Sequence, residues 1–177
     1  MNDEIKKILK KLKGSLLGIG INDPSMFDII EKNDNINLCY LLSNNEKNNS
    51  KKFKMYKKNR TKKINIKKLS KYFRIKSIDY IVCDYNVVKK YIRSFQGESV
   101  YINNKKIYLY GNINDLGNLK EKYERFSKDI KLKKIDNSFL LIIDNSKTKT
   151  NIFKNTKYKI IDFFNDALDF LTDLLTN

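Results

Sequence analysis

The chain has 177 residues, of which 37 are Lys or Arg, 20 are Asp or Glu and none is His, giving a formal net charge of +17. That length suits one domain with a core large enough to need no disulfides. The missing imidazole excludes every mechanism built on a histidine base, and the lone Cys39 and Cys83 exclude the common zinc sites. No apolar run approaches the roughly 20 residues that span a bilayer. No continuous apolar stretch follows the first charged residues as in a signal peptide. A single cytoplasmic α/β domain over 1–177 is the expectation.

Residues 1–13 set Ile5, Ile8, Leu9 and Leu12 at helical spacing, with Lys6, Lys7, Lys10, Lys11 and Lys13 opposite. This predicts an N-terminal amphipathic helix that docks by its apolar side and ends at Gly14. It carries no aromatic anchor of the kind that holds a helix on a membrane surface. Residues 15–21 (SLLGIGI) predict a buried strand. Asp23 then suits an N-cap and Pro24 the first helical position. Ile36–Leu42 (INLCYLL) is apolar throughout, as a strand covered on both faces must be. Its Cys39, like Cys83 further on, reads as a buried thiol.

From 44 to 63 the composition turns polar and basic, with a short strand around Phe53 and Met55. Residues 64–73 predict a helix, Ile78–Asp84 (IDYIVCD) a third strong strand, and 86–95 another helix. Apolar alternation on either side of Asn103, Asn104, Lys105 and Lys106 predicts a hairpin pairing 100–102 with 107–110. A helix over 116–130, a strand over 139–144 and an acidic amphipathic helix over 162–175 complete the chain, with 157–161 either a short strand or the start of that helix. Strands alternating with helices define the fold class as α/β, a mostly parallel doubly wound Rossmann-like sheet with an antiparallel edge near the C-terminus.

The feature that could carry chemistry is Gly18-Ile19-Gly20 at the end of the first strand, followed by a capped helix. In doubly wound sheets this turn lies at the carboxyl edge, where ligands bind, and the helix N-terminus offers free N–H groups. The same pattern describes a tight turn with no ligand. The third glycine of the dinucleotide fingerprint is absent.

The order of elements from 15 to 84 resembles the cofactor half of class I S-adenosylmethionine-dependent methyltransferases. The resemblance implies that Gly18, Gly20 and Asn22 face the cofactor. It places Ser43 and Asn44 where the family has a ribose-binding acid, and Asn59 near the adenine. It puts Asp84, Tyr85 and Asn86 at the catalytic or substrate-facing position. A carboxylate accepts two hydroxyl donors at once, whereas Ser43 or Asn44 imitates that only in part. The chain is then either a divergent enzyme or a fold that has kept its shape and lost its cofactor. Asp84 also reads as a simple cap of the following helix. No metal is expected.

Lys51, Lys52, Lys54, Lys57, Lys58, Arg60, Lys62 and Lys63 surround Phe53 and Tyr56. Cations interleaved with rings suit nucleic acid, cations meeting phosphates while rings stack on bases. The same run also describes a solvated loop. Three functions stay open: a methyltransferase acting on RNA or DNA, a non-catalytic module binding nucleic acid, and a protein-interaction or self-associating domain. The last draws on the opposite charges of the first and final helices.

Overall fold

The structure is a computed structural model that describes residues 2–42, 53–55, 66–127 and 129–146. The strands are β1 (Gly14–Ile19), β2 (Ile36–Leu42), β3 (Phe53–Met55), β4 (Ile78–Asp84), β5 (Asn103–Asn112), β6 (Ile130–Ile135) and β7 (Ser138–Asp144). They form one seven-stranded sheet in the order β3-β2-β1-β4-β5-β7-β6. The first five are mutually parallel. β7 runs antiparallel between β5 and β6, so β6 points the same way as the parallel set. The helices are α1 (Asn2–Lys11), α2 (Pro24–Lys32), α3 (Tyr85–Val88), α4 (Ile92–Ile102) and α5 (Leu119–Glu124).

Both faces of the sheet are covered, which is why β1, β2 and β4 are apolar at successive positions. On one face Ile5, Leu9 and Leu12 of the α1 segment and Met26, Phe27 and Ile30 of α2 pack on Leu16, Cys39, Leu41, Val82, Tyr108, Tyr110 and Leu140. On the other, Leu69, Val88, Phe95, Leu119 and Tyr123 pack on Leu17, Ile19, Ile81, Leu109, Phe139 and Leu141. Each such aliphatic side chain removed from water contributes about 1.5–3 kcal/mol. Among the described residues no helix is long and apolar enough to cross a membrane.

Buried asparagines tie the elements together. Asn33, just past α2, donates to the carbonyls of Leu9 at 2.8 Å and Leu12 at 3.1 Å, satisfying carbonyls that the end of α1 leaves open. Asn103 donates to the carbonyls of Asp79 at 3.0 Å and Lys106 at 3.1 Å.

Asn103 also explains a departure from expectation. The hairpin about 103–106 is absent. Helix α4 runs on to Ile102, and Asn103 opens a long strand parallel to β4. The hairpin lies later, where β6 meets β7 around Asp136 at φ +49°. The expected helix over 116–130 is only the short α5, and β6 follows it. The expected helix at 64–73 is a pair of 3₁₀ turns over Ile66–Lys71, broken at Lys68. That at 86–95 divides into α3, a 3₁₀ turn and α4. The segment 157–175 lies outside the described residues.

Candidate functional site

β1 pairs with β2 on one side and with β4 on the other. Chain connections therefore leave β1 in opposite directions, which makes its carboxyl end the switch point of the sheet, where doubly wound folds bind ligands. The turn there is shaped by local chemistry. Gly20 takes φ +72°, a left-handed conformation that side chains resist. Asp23 caps α2, its carboxylate accepting from the Ser25 N–H at 2.9 Å and the Ser25 hydroxyl at 2.6 Å, with Pro24 beginning the helix. Those bonds hold the Asp23 carboxyl below its ordinary value, with the Lys6 ammonium at 3.6 Å assisting.

Asp84 ends β4 and faces this turn. It caps α3 by accepting from the Asn86 N–H at 2.9 Å. Burial nevertheless raises its pKa, outweighing that bond and the charge of Lys89. The cross-strand neighbour of Asp84 on β5 is Tyr110. Tyr110 is buried, and its phenol is pushed well up, first by burial and then by the charge of Asp84. Asp23, Asp84 and Tyr110 thus share one electrostatic neighbourhood at the carboxyl edge.

The two turns touch. A Cβ on Gly20 would stand 2.5 Å from Val87 Cγ2 and 3.0 Å from Asp84 Cβ. A Cβ on Gly18 would stand 2.6 Å from Leu41 Cδ2 and 2.8 Å from Ile21 Cδ1. The space beside both glycines is filled by the chain's own side chains, so their small size serves internal packing here.

The structure gathers Gly18, Gly20, Asn22, Asp84 and Asn86 at one edge. Tyr85 turns away from that edge: its ring packs edge-on against Phe139 at 5.7 Å, in the core on the α4 side. Asn22 and Asn86 are exposed. Ser43, Asn44, Asn59 and the basic residues Lys51, Lys52, Lys57, Lys58, Arg60, Lys62 and Lys63 lie outside the described residues, and Lys54 is described only as backbone in β3. Tyr110 and Val87 were not singled out from the sequence. Tyr110 falls in the expected hairpin at 107–110, and only the pairing of β5 with β4 puts it at the end of a central strand. Among the described residues no three His, Cys, Asp or Glu side chains gather as a metal-ligand set.

No protein-family model matches the sequence, and no curated protein matches it. Solved structures do. A putative S-adenosyl-L-methionine-dependent methyltransferase from Methanococcus maripaludis superposes with a TM-score of 0.56 at 12% identity, over 82% of this chain and 85% of that one. Human methyltransferase-like protein 13, in complex with SAH, gives 0.60 at 11% identity, over 86% and 83%. The chain has a class I methyltransferase-like Rossmann fold. Spermidine synthase from Thermotoga maritima superposes as well, with a TM-score of 0.54 at 10% identity over 80% of this chain and 56% of that one. The methyltransferase-like fold therefore occurs around more than one reaction.

Proposed function

We propose that this chain is a methyltransferase-like domain that binds S-adenosylmethionine at the carboxyl edge of β1 and β4 and acts on RNA or DNA. The observation that carries the reading is the place of Gly20: left-handed, at the switch point of the sheet, and against the strand-end carboxylate Asp84. The charge of this edge supports the reading. In a chain of net charge +17, Asp23 and Asp84 set two carboxylates at this edge, where a cationic sulfonium would be favoured.

S-adenosylmethionine, when bound, supplies an activated methyl group. The chain's own part is to align a nucleophile and exclude water. Asp84, half-buried and anchored by its cap, can accept a hydrogen bond from an amine and take up its proton, since burial raises its pKa toward that use. The basic surplus supports a phosphate-rich substrate.

Titration calorimetry with S-adenosylmethionine and with its demethylated product tests the reading. Saturable heat with both, abolished in a folded Gly20→Val variant, is the expected result. Folded protein giving no heat at millimolar ligand removes the cofactor and leaves a non-catalytic module on the same fold. Transfer of labelled methyl to RNA or DNA then tests the substrate.

A further inference from the structure

β6 is the outermost strand, beyond β7. Ile130 and Leu132 pack against the core on the α4 and α5 side. Strand alternation therefore turns Lys131 and Lys133 to the opposite face. The register agrees: Lys131 lies opposite Ile142 and Lys133 opposite Leu140, and both of those pack with α1 and α2. Helix α1 is held against this edge by the Lys133 ammonium, 2.9 Å from the Glu4 carboxylate.

Lys7 and Lys11 follow Glu4 at three- and seven-residue steps, on the side of α1 nearest β6. Their charges reach Glu4: its carboxyl sits below the ordinary value, first through the bond and charge of Lys133 and then through Lys7 and Lys11. Two acids of this face are engaged, Glu4 by Lys133 and Asp144 by Lys106 at 3.5 Å, while Asp3, one turn before Lys7, is exposed. Lys7, Lys11 and Lys131 are exposed, and none pairs with an acid among the described residues. Ile8 and Ile142, both half-buried, lie beside them.

We propose that Lys7, Lys11 and Lys131, brought together by α1 and β6, form a docking face for the phosphate backbone of a nucleic acid. A helix repeats its cations about every 6 Å along one side and a strand about every 7 Å. Lys7 and Lys11 one helical turn apart, with Lys131 of β6 beside them, suit an extended chain of repeated negative charges better than a single anion. The face joins residues from opposite ends of the described chain. It shares its partner class with the function proposed above, and it does not depend on the cofactor.

The test is fluorescence anisotropy of a labelled 20-nucleotide RNA strand and a DNA duplex with the full chain, without cofactor, from 50 to 200 mM salt. One variant carries Lys7→Gln, Lys11→Gln and Lys131→Gln. A control carries Lys122→Gln, Arg125→Gln and Lys134→Gln, the same charge loss on α5 and the other face of β6. The first variant is expected to lose more than tenfold in affinity at low salt, with the slope of log affinity against log salt shallower by roughly 2–3. The control is expected to bind within about threefold of the parent, because it removes the same charge without removing a contact of the proposed face. Lys133 is kept, so the Glu4 bond survives. If the triple variant melts early, Lys131→Gln alone should still flatten the slope by about 1. Equal losses in both triple variants would overturn the proposal, as would an unchanged slope. So would a parent that prefers polyglutamate or anionic vesicles to either oligonucleotide, or that binds no nucleic acid at low salt. Cofactor binding is read separately, so either reading can fail while the other stands.

Discussion

Gly20 and Val87 hold the two turns of the candidate site against each other, with Val87 Cγ2 2.5 Å from where a side chain at Gly20 would begin. Two costs meet at Gly20: the steric one and the strain of φ +72°. Gly20→Ala should lose about 2–3 kcal/mol in urea unfolding. Adding Val87→Ala should recover the steric part and leave roughly 1 kcal/mol of backbone strain. A double variant no more stable than Gly20→Ala alone would show that the two turns do not press on each other.

Asp84 gives a pH signature. Burial raises its pKa above the ordinary 3.8, so folding favours the protonated form. The stability this contributes is fully present below the ordinary value and is lost as pH rises through the raised one. Asp84→Asn keeps a good helix cap and removes the buried charge. It should melt higher than the parent at pH 7, with the two curves converging toward pH 3. If bound sulfonium relies on this carboxylate, the same variant should also weaken S-adenosylmethionine binding about tenfold or more, the scale of one lost charge interaction.

Asp79, at the opposite edge, should behave with the reverse sign. Its carboxylate accepts from the Ser15 N–H at 3.0 Å and the Ser15 hydroxyl at 3.3 Å, and it meets Asn104 and Lys105 at 3.3 Å each. Burial acts to raise its pKa, but these bonds together lower it. Its stabilisation is present above the ordinary 3.8 and disappears as pH falls through the lowered value. Asp79→Ala should cost about 2–3 kcal/mol near pH 7, and the gap to the parent should close as the pH drops toward 2. A gap independent of pH would mean that Asp79 acts only through packing.

Cys39 and Cys83 are fully buried in the sheet, and burial pushes both thiols up from their ordinary value. Labelling by a thiol reagent at pH 8 should therefore follow unfolding, its rate rising with urea in parallel with the loss of structure. Labelling of either cysteine at the rate of a free thiol in native buffer would contradict this placement.

Much of the fold was legible in residue order because its signals are local or follow from complete burial. β1, β2 and β4 lie under helices on both sides, so they read as unbroken apolar runs. Asp23 and Pro24 announce a helix start by short-range chemistry that needs no tertiary partner. Gly20 marked the turn, and Asp84 its neighbour, from their places at strand ends.

Other elements were hidden because distant partners decide them. Four polar residues at 103–106 look like a turn until Asn103 is buried against the carbonyls of Ile78 and Asp79. β6 alternates Lys with Ile and Leu, and as an edge strand with one face toward solvent it carries too little apolar signal to stand apart from a helix. Tyr110 became part of the site only when β5 paired with β4.

Composition, charge and strand runs by themselves determined an α/β chain with a glycine turn after its first strand and a large cationic surplus. Only the tertiary structure decided that β7 inserts antiparallel between β5 and β6. Only it showed that the glycines are packed by Ile21, Leu41 and Val87, and that Lys7, Lys11 and Lys131 share one face. The reason is physical: propensity, capping and burial on both faces act over a few residues, whereas strand neighbours and converging charges depend on contacts between segments far apart in the chain.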